Sequence, residues 1–211
     1  MIFVSSVRDM GSNPEYDANQ LRAWKSWNQV ASAIVYFNQP QPALESSITR
    51  FIPSEPYPTI LSLVEFCAEQ DKDWSVILNA DIVCTTRLHV LEKSLKARKA
   101  SCASSWRHEF DPAVGIDPCS RVDNGLDFFA ASPEFWRKVY NDVPETLRLG
   151  AQRWDSWMLA YFGMKGIAGF YDLTPSKCVR HPRHNGRIYG DAGPDVDFMG
   201  GWPVMAGSAL T

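Results

Sequence analysis

The apolar run WSVILNADIV, residues 74–83, is the feature that most constrains the fold of this chain. Its apolar residues follow one another instead of alternating with polar ones, which predicts a β-strand that is buried on both faces. Strands of this kind are typical of parallel sheets covered by helices on both sides. Asp81 comes near the end of the run and before a predicted helix. A carboxylate is therefore expected at the sheet edge where ligands of parallel sheets bind.

Strand-like and helix-like segments alternate along the rest of the chain. β-Branched and aromatic runs predict strands at 2–7, 32–38, 47–52, 101–106, 126–132 and 167–173. Apolar stripes and capping residues predict helices at 19–30, 59–66, 85–99, 133–140 and 154–162. Residues 8–17 and 107–125 are expected to be polar loops. This alternation predicts an α/β fold with a mainly parallel central sheet flanked by helices.

The size and composition of the chain favour one compact domain. The chain has 211 residues, of which 45% are hydrophobic and 21% charged, enough to bury one core. We expect a single domain over residues 1–211, with the Gly- and Pro-rich segment 186–211 as a C-terminal tail or lid. The net charge of −3 gives no general attraction for nucleic acid or anionic membranes.

The cysteines and the N-terminal sequence favour a reducing cellular compartment for this protein. Five cysteines without a CxxC pair predict buried free thiols in a reducing environment. The N-terminal sequence MIFVSSVRD does not resemble a signal peptide. No apolar run approaches the roughly 20 residues that span a bilayer. We therefore expect a cytoplasmic protein with no membrane span.

Asp81 and two histidines are candidate metal ligands. A carboxylate beyond a buried strand can reach a cation held by phosphates, although Asp81 could instead cap the next helix. His181 and His184 stand three residues apart in VRHPRHN, within the densest cationic segment of the chain. They could supply a metal ligand or a phosphate contact, or belong to a solvated basic loop.

Asp155 is a candidate general base. It lies in the first turn of a predicted helix, between Trp154 and Trp157. The positive helix end would lower the pKa of this carboxyl group, and desolvation by the indoles would raise it. The alternative is an ordinary aspartate at a helix start, flanked by two tryptophans of the core.

The sequence VDNGLD, residues 122–127, predicts a turn before an aromatic strand. Its short polar side chains, Asp123, Asn124 and Asp127, could bind sugar hydroxyls. The segment could equally be an Asp-Asn-Gly turn without a ligand, and neither interpretation is favoured locally.

The order of four motifs resembles that of the GT-A class of glycosyltransferases, in particular small members of the class whose substrates are not established. The motifs are NADIV (79–83), DNGLDFFAAS (123–132), LGAQRWDSWML (149–159) and VRHPRHN (179–185). The resemblance extends from Ile34 to Asn185 and implies the nucleotide-diphospho-sugar transferase fold. NADIV stands where the class has its DxD motif, with Asn79 in place of the first aspartate.

The resemblance implies a role for residues in each motif. Asp81 would bind Mn²⁺ or Mg²⁺ that bridges the donor diphosphate, with His181 or His184 completing the metal site. Asn79 would hold a ribose or sugar hydroxyl. Asp155 matches the base of inverting enzymes, which takes the proton of the acceptor hydroxyl in a single displacement. Further donor contacts are expected from Ser5, Ser6 and Arg8, and acceptor or sugar contacts from Asp123, Asn124, Asp127 and Trp154.

The substrates implied are a nucleoside-diphosphate sugar, with UDP the commonest nucleotide of the class, and a glycan acceptor. A hydroxymethylated base in viral DNA is an alternative acceptor, which Arg180, Arg183 and Arg187 would suit. A nucleotidyltransferase acting on a sugar phosphate is the alternative enzyme. Such enzymes usually have a glycine-rich basic loop after the first strand, where this chain offers only Gly11. A non-catalytic binding domain is the third hypothesis, and the sequence does not indicate an oligomeric state.

Overall fold

The structure, a computed structural model, describes most of the chain up to residue 183. The described segments are 1–11, 13–55, 57–71, 73–85, 88–117, 121–150, 154–165 and 168–183, with the backbone alone at 88, 89 and 121–124. The predicted metal ligand His184, the basic residue Arg187 and the predicted tail 186–211 lie outside the described residues.

Strands and helices alternate through these segments. The strands are β1 (Ile2–Ser5), β2 (Ala33–Phe37), β3 (Thr49–Ile52), β4 (Ser75–Leu78), β5 (Val83–Cys84), β6 (Cys102–Phe110), β7 (Arg121–Ala131), β8 (Phe170–Asp172) and β9 (Val179–Pro182). The helices are α1 (Pro14–Trp27), α2 (Ile60–Ala68), α3 (Leu88–Ala97), α4 (Pro133–Asp142) and α5 (Trp154–Lys165).

In the described segments, the nine strands form one sheet in the order β3-β2-β1-β4-β7-β6-β9-β5, with β8 paired to β6. Strands β3, β2, β1 and β4 run parallel to one another. β7 is antiparallel to both of its neighbours, β4 and β6. β6 is parallel to β8 and β9, whereas β5 and β9 are antiparallel. The predicted α/β class, with a mainly parallel sheet flanked by helices, is confirmed.

Each face of the sheet packs against helices. Helices α2, α4 and α5 share a core with Val4 and Ile77 of the central strands. On the other face, Phe3 and Val76 pack in a second core with Trp27 of α1. Successive residues of a strand point to opposite faces, so an uninterrupted apolar sequence fills both cores. This is why the run that begins at residue 74 lies in the middle of the sheet.

Helix starts follow the capping residues. Thr59 and Ser132, both expected to open helices, each accept a main-chain N–H of the first turn of α2 and α4. α1 begins at Pro14, because the side chain of Asn13 accepts two N–H groups there. The prediction of a polar loop over residues 8–17 was therefore wrong for its last four residues.

Strand boundaries differ from the sequence predictions at four places. The central strand ends at Leu78, since the chain turns at 79–82 before β5. β6 continues to Phe110 and β7 begins at Arg121, so both ends of the predicted loop 107–125 are strand. The predicted turn at 122–127 is part of β7, and the predicted loop at 179–182 is β9. In β6, β7 and β9, pairing with a neighbouring strand outweighs a local loop or turn signature.

The state of the described cysteines and the lengths of the described helices agree with the predictions from the sequence. All four cysteines of the described segments are buried free thiols. The longest described helix has 14 residues, and none of the described helices combines the length and apolarity needed to cross a bilayer.

Candidate functional site

Asp81 and His181 are brought together by the pairing of two short strands. Asp81 lies in the turn between β4 and β5, and His181 lies in β9. β5 and β9 are antiparallel, with Val83 opposite Arg180. The Oδ2 atom of Asp81 is 3.2 Å from the Nε2 atom of His181, and the two side chains are 22% and 6% exposed. A carboxylate and an imidazole therefore stand side by side beyond the carboxyl end of β4.

The last turn of α1 fixes the Asp81 turn from its buried side. The indole Nε1 of Trp27 donates to the carbonyl of Ile82 at 2.7 Å. The hydroxyl of Ser26 accepts the N–H of Cys84 at 3.0 Å. Both contacts are made within three residues of Asp81, so the main chain of the turn is held in place by the core.

Asn79, Asp127 and Arg107 form a hydrogen-bonded group beside this turn. The Nδ2 atom of Asn79 donates to Oδ1 of Asp127 at 2.8 Å, and Nη1 of Arg107 pairs with Oδ2 of Asp127 at 2.6 Å. Asp127 is 5% exposed. Burial raises the pKa of Asp127, with a smaller contribution from Asp81, while Arg107 and His181 oppose the shift. Asp81 and His181 thus both influence the carboxyl group of Asp127.

Gly125 provides the space for Arg107. A Cβ atom on Gly125 would lie 2.5 Å from the guanidinium carbon of Arg107, closer than real Cβ contacts allow. The glycine of the predicted turn therefore leaves room in β7 for the guanidinium of a side chain from β6, which a Cβ atom would displace. Arg107 was not predicted as a site residue. The alternation of Trp106, His108 and Phe110 with polar residues is the strand signal that could have placed it.

Asp155 lies in the first turn of α5, as predicted, and is half-buried. Burial and the charge of Asp127 raise the pKa of Asp155, whereas the main-chain N–H of Ser156 and the charge of Arg107 act in the opposite direction. The charges of Asp127 and Arg107 thus both act on Asp155. Trp154, the predicted sugar contact, is 2% exposed, and its ring packs edge-on against Phe129. Its side chain belongs to the core in this conformation.

The predicted donor residues Ser5 and Ser6 lie at the carboxyl end of β1, beside β4. Ser5 is fully buried, and its hydroxyl donates to the carbonyl of Leu78 at 2.7 Å. The hydroxyl of Ser6 donates to Oδ1 of Asn38 at 2.8 Å. Both hydroxyls therefore hold the sheet edge together, and their predicted contact with a donor stays a prediction.

Asn38 and Gln20, which were not predicted, shape the loop after β1. Oδ1 of Asn38 accepts the N–H of Val7 at 2.6 Å, and its Nδ2 donates to the Val7 carbonyl at 2.8 Å. Gln20 makes the same pair of contacts with the main chain of Arg8. The guanidinium of Arg8 lies 4.8 Å from the ring centroid of Tyr16. Arg8 is exposed, so it remains a candidate for contact with a donor phosphate.

Two arginines of the basic segment are paired with acids. Arg180 is 8% exposed and binds both the carboxylate of Asp117 and the carbonyl of Ile116. Nε of Arg183 lies 3.5 Å from Oε2 of Glu109. Arg180 therefore ties the loop after β6 to β9.

The spacing of Asp81 and His181 fits the divalent cation that the resemblance implies. Two adjacent ligands of an octahedral cation, each about 2.1 Å from it, are about 3 Å apart. The separation of 3.2 Å between Asp81 and His181 is close to that value. No group of three or more His, Cys, Asp and Glu side chains that could hold a metal occurs among the described residues. The remaining ligands of a cation would come from donor phosphates, water or residues beyond 183.

The structure brings six of the predicted residues to one edge of the sheet. They are Ser5, Ser6, Asn79, Asp81, Asp127 and His181. Asp123 and Asn124 lie in β7, upstream of Asp127, and only their backbone is described.

Comparison with known proteins supports the fold. No protein-family model matches this chain, and no curated protein matches it. A mycobacterial protein of known structure is 12% identical, with a TM-score of 0.52 over 89% of this chain and 68% of its own. The 4-diphosphocytidyl-2C-methyl-D-erythritol synthase of Anaerococcus prevotii is 10% identical, with a TM-score of 0.48 over 82% and 87%. The galactosyltransferase LgtC, in complex with donor and acceptor sugar analogues, is 13% identical, with a TM-score of 0.39 over 82% and 73%. The likeness to the mycobacterial protein, which alone of these three has a TM-score above 0.5, concerns the fold alone.

Proposed function

We propose that this protein is a metal-dependent glycosyltransferase that moves a sugar from a nucleoside-diphosphate sugar, with UDP as the nucleotide, to an acceptor hydroxyl. The observation that carries the proposal is the Asp81–His181 pair beyond the carboxyl end of a buried strand. In open α/β sheets, ligands bind outside the carboxyl ends of the strands. The pair is the combination of oxygen and nitrogen ligands that a divalent transition cation accepts.

Asp81 and His181 would hold Mn²⁺ or Mg²⁺ at this edge, with His184 as a further predicted ligand. The cation would neutralise the charge that develops on the departing diphosphate. Arg8, exposed at the end of β1, would add a second positive charge on the donor side.

Asp155 is the better candidate for the base. Both carboxylate oxygens of Asp127 are engaged, by Asn79 and Arg107, and the residue is buried. Asp155 is half-buried and has a raised pKa, which makes its carboxylate a stronger proton acceptor. Asp155 would take the proton of the acceptor hydroxyl while the oxygen attacks the anomeric carbon. The bond from that carbon to the diphosphate breaks with its electrons on the diphosphate, so the anomeric configuration inverts.

Nucleotidyl transfer to a sugar phosphate is the second candidate, and the loop after β1 argues against it. Loops that cradle several phosphates use main-chain N–H groups as donors. In the described part of this loop, four N–H groups are already accepted by side chains. The N–H groups of Val7, Arg8, Met10 and Gly11 donate, in that order, to side-chain oxygens of Asn38, Gln20, Gln41 and Asp17. An anion arriving here would have to displace these side-chain oxygens.

The acceptor that best suits the described residues is a glycan. Two of the three arginines that would favour DNA, Arg180 and Arg183, face acidic partners. Their charge is therefore partly neutralised for the purpose of binding phosphates. The hydroxymethylated base of viral DNA stays the alternative acceptor.

Turnover of candidate donors tests the proposal. The protein is incubated with Mn²⁺ and UDP-glucose, UDP-galactose, UDP-N-acetylglucosamine or GDP-mannose, with and without glycan or hydroxymethylated DNA, and release of the nucleoside diphosphate is measured. We expect metal-dependent release from a UDP-sugar that is lost in Asp81→Ala. A parallel incubation with nucleoside triphosphates and sugar 1-phosphates is assayed for pyrophosphate. Pyrophosphate release without diphosphate release would replace glycosyl transfer by nucleotidyl transfer.

A further inference from the structure

The carboxylate of Asp127 has little exposed surface to offer a sugar. Its side chain is 7% exposed, and its two carboxylate oxygens accept from Arg107 at 2.6 Å and from Asn79 at 2.8 Å. A second contact ties the same residues, because the N–H of Asn79 donates to the main-chain carbonyl of Asp127 at 3.3 Å. Asp127 therefore holds Asn79 through hydrogen bonds, whereas the sequence suggested a direct contact of Asp127 with sugar hydroxyls.

An ionised carboxylate determines which way the Asn79 carboxamide faces. A carboxylate only accepts hydrogen bonds, so Asn79 must present its nitrogen to Asp127. The carboxamide oxygen then points away from Asp127, and Asn79 is half-exposed two residues before Asp81. Arg107 sits against Asp127 because Gly125 leaves room for its guanidinium, and its charge favours the ionised carboxylate.

The same geometry explains why an amide stands at position 79. An aspartate there would place a second carboxylate about 3 Å from that of Asp127, and two such groups cannot both be ionised without a large cost. The two residues thus depend on each other. Asn79 supplies the N–H donor of the hydrogen bond, and Asp127 supplies the negatively charged acceptor.

We propose that Asp127 and Arg107 are positioning residues that hold the carboxamide oxygen of Asn79 toward the donor, where it accepts a hydrogen bond from a donor hydroxyl. The inference rests on the proposed function, because it concerns the same donor. The hydroxyl belongs either to the ribose or to the transferred sugar. Asn79 would thereby favour donors that carry this hydroxyl over their deoxy analogues.

Asp127→Asn separates this role from a purely structural one. The new carboxamide keeps the shape of the side chain and can still accept from Arg107, but it then offers its nitrogen to Asn79. The Asn79 carboxamide must turn over, so that its nitrogen, instead of its oxygen, faces the donor. The exchanged pair Asn79→Asp/Asp127→Asn restores an acceptor at 79, because the carboxamide at position 127 would donate to the new carboxylate and accept from Arg107.

The test measures dissociation constants with Mn²⁺ for UDP, 2′-deoxy-UDP, UDP-glucose and UDP-2-deoxyglucose. For the wild-type protein we expect about tenfold weaker binding of one deoxy ligand, the effect of one lost hydrogen bond. The ligand that is weakened identifies the ribose or the sugar. Asp127→Asn and Asn79→Ala should abolish the difference, and the exchanged pair should recover it. Asp73→Asn, at the amino end of β4, is the matched control and should leave it unchanged.

The outcomes separate this inference from the proposed function. Binding of UDP ligands with the same discrimination in Asp127→Asn as in the wild-type protein would overturn the positioning role alone. So would equal binding of all deoxy and parent ligands by the wild-type protein. Failure of the wild-type protein to bind any uridine diphosphate with Mn²⁺ would overturn the proposed function, and this inference with it.

Discussion

Nε2 of His181 lies 3.2 Å from Oδ2 of Asp81, although the two residues are far apart in the sequence. The contact depends on two short strands, β5 and β9, whose pairing aligns the turn after β4 with the last described segment of the chain. It also depends on α1, which holds that turn by two hydrogen bonds. Each support of the site can be removed separately.

Trp27→Phe should weaken metal-dependent UDP binding without touching a ligand. The change removes the hydrogen bond to the Ile82 carbonyl and leaves this acceptor buried, at a cost of about 1–3 kcal/mol in the free energy of unfolding. Trp136→Phe is a matched control, because the Trp136 indole donates to the Ser75 carbonyl at the other end of β4. We expect both variants to lose stability in urea melts, and only Trp27→Phe to lose UDP affinity as well. Equal UDP affinities in the two variants would contradict this role of α1.

Gly125→Ala should destabilise the protein and disturb the pairing of Arg107 with Asp127. The new methyl group would lie 2.5 Å from the guanidinium, so the end of the Arg107 side chain must move. Weakening its hydrogen bond to the buried carboxylate of Asp127 costs about 1–3 kcal/mol. Gly163→Ala is the control, since nothing lies within 4 Å of a Cβ atom at this position of α5. It should raise the free energy of unfolding by about 0.5–1 kcal/mol through helix propensity. A neutral Gly125→Ala would show that Arg107 does not depend on this glycine.

Asp155→Asn should stabilise the fold while it removes transfer activity. Burial and Asp127 raise the pKa of Asp155 above its usual 3.8, so the ionised form is disfavoured in the folded protein. Between the usual pKa and the raised value the folded state binds more protons than the unfolded state, and stability falls as pH rises through this window. Asp155→Asn cannot ionise at this position, so its stability does not fall with rising pH for this reason. Its melting temperature should match the wild-type value below pH 3.8. At neutral pH it should exceed the wild-type value, by about 2–4 °C for each kcal/mol. Equal melting temperatures of the variant and the wild-type protein at neutral pH would contradict a raised pKa of Asp155.

Asn38→Ala should release the loop after β1. The substitution removes the acceptor for the N–H of Val7 and the donor to its carbonyl, both buried, and should cost about 1–3 kcal/mol. Asn28→Ala, which loses one bond from the end of α1 to the Trp24 carbonyl, is expected to cost less. Chemical denaturation of the two variants provides the comparison. A smaller loss in Asn38→Ala would mean that the loop is held by other contacts.

The sequence was informative where one strand or one helix start contained the whole signal. The apolar run from residue 74 predicted a central parallel strand, because a strand that is buried on both faces needs an apolar side chain at nearly every position. Thr59 and Ser132 predicted helix starts, because a cap acts on its own first turn. Asp81 was noticed for the same reason, as a carboxylate at the end of such a strand.

The parts that depend on neighbouring strands could not be predicted in this way. The glycine at 125 was interpreted as a turn residue, although it is needed by Arg107 on the adjacent strand. Asn38 carries no local signature, since its partners are residues of the loop after a different strand. Asp127 was predicted to contact sugar, whereas its described partners are Asn79 and Arg107. Side-chain contacts across a sheet follow from strand order, which one sequence does not display.

Thermal unfolding with UDP and Mn²⁺ tests the central claim most directly. A ligand present at about 100 times its dissociation constant stabilises the folded state by about 2.7 kcal/mol, roughly 5–10 °C for a chain of this size. We predict such a shift for the wild-type protein and for Asp73→Asn when UDP and Mn²⁺ are both present, and little shift with either alone. Asp81→Ala and His181→Ala should lose it. An equal shift in these two variants, or no shift of the wild-type protein with either UDP or GDP and metal, would contradict a metal–nucleotide site at Asp81.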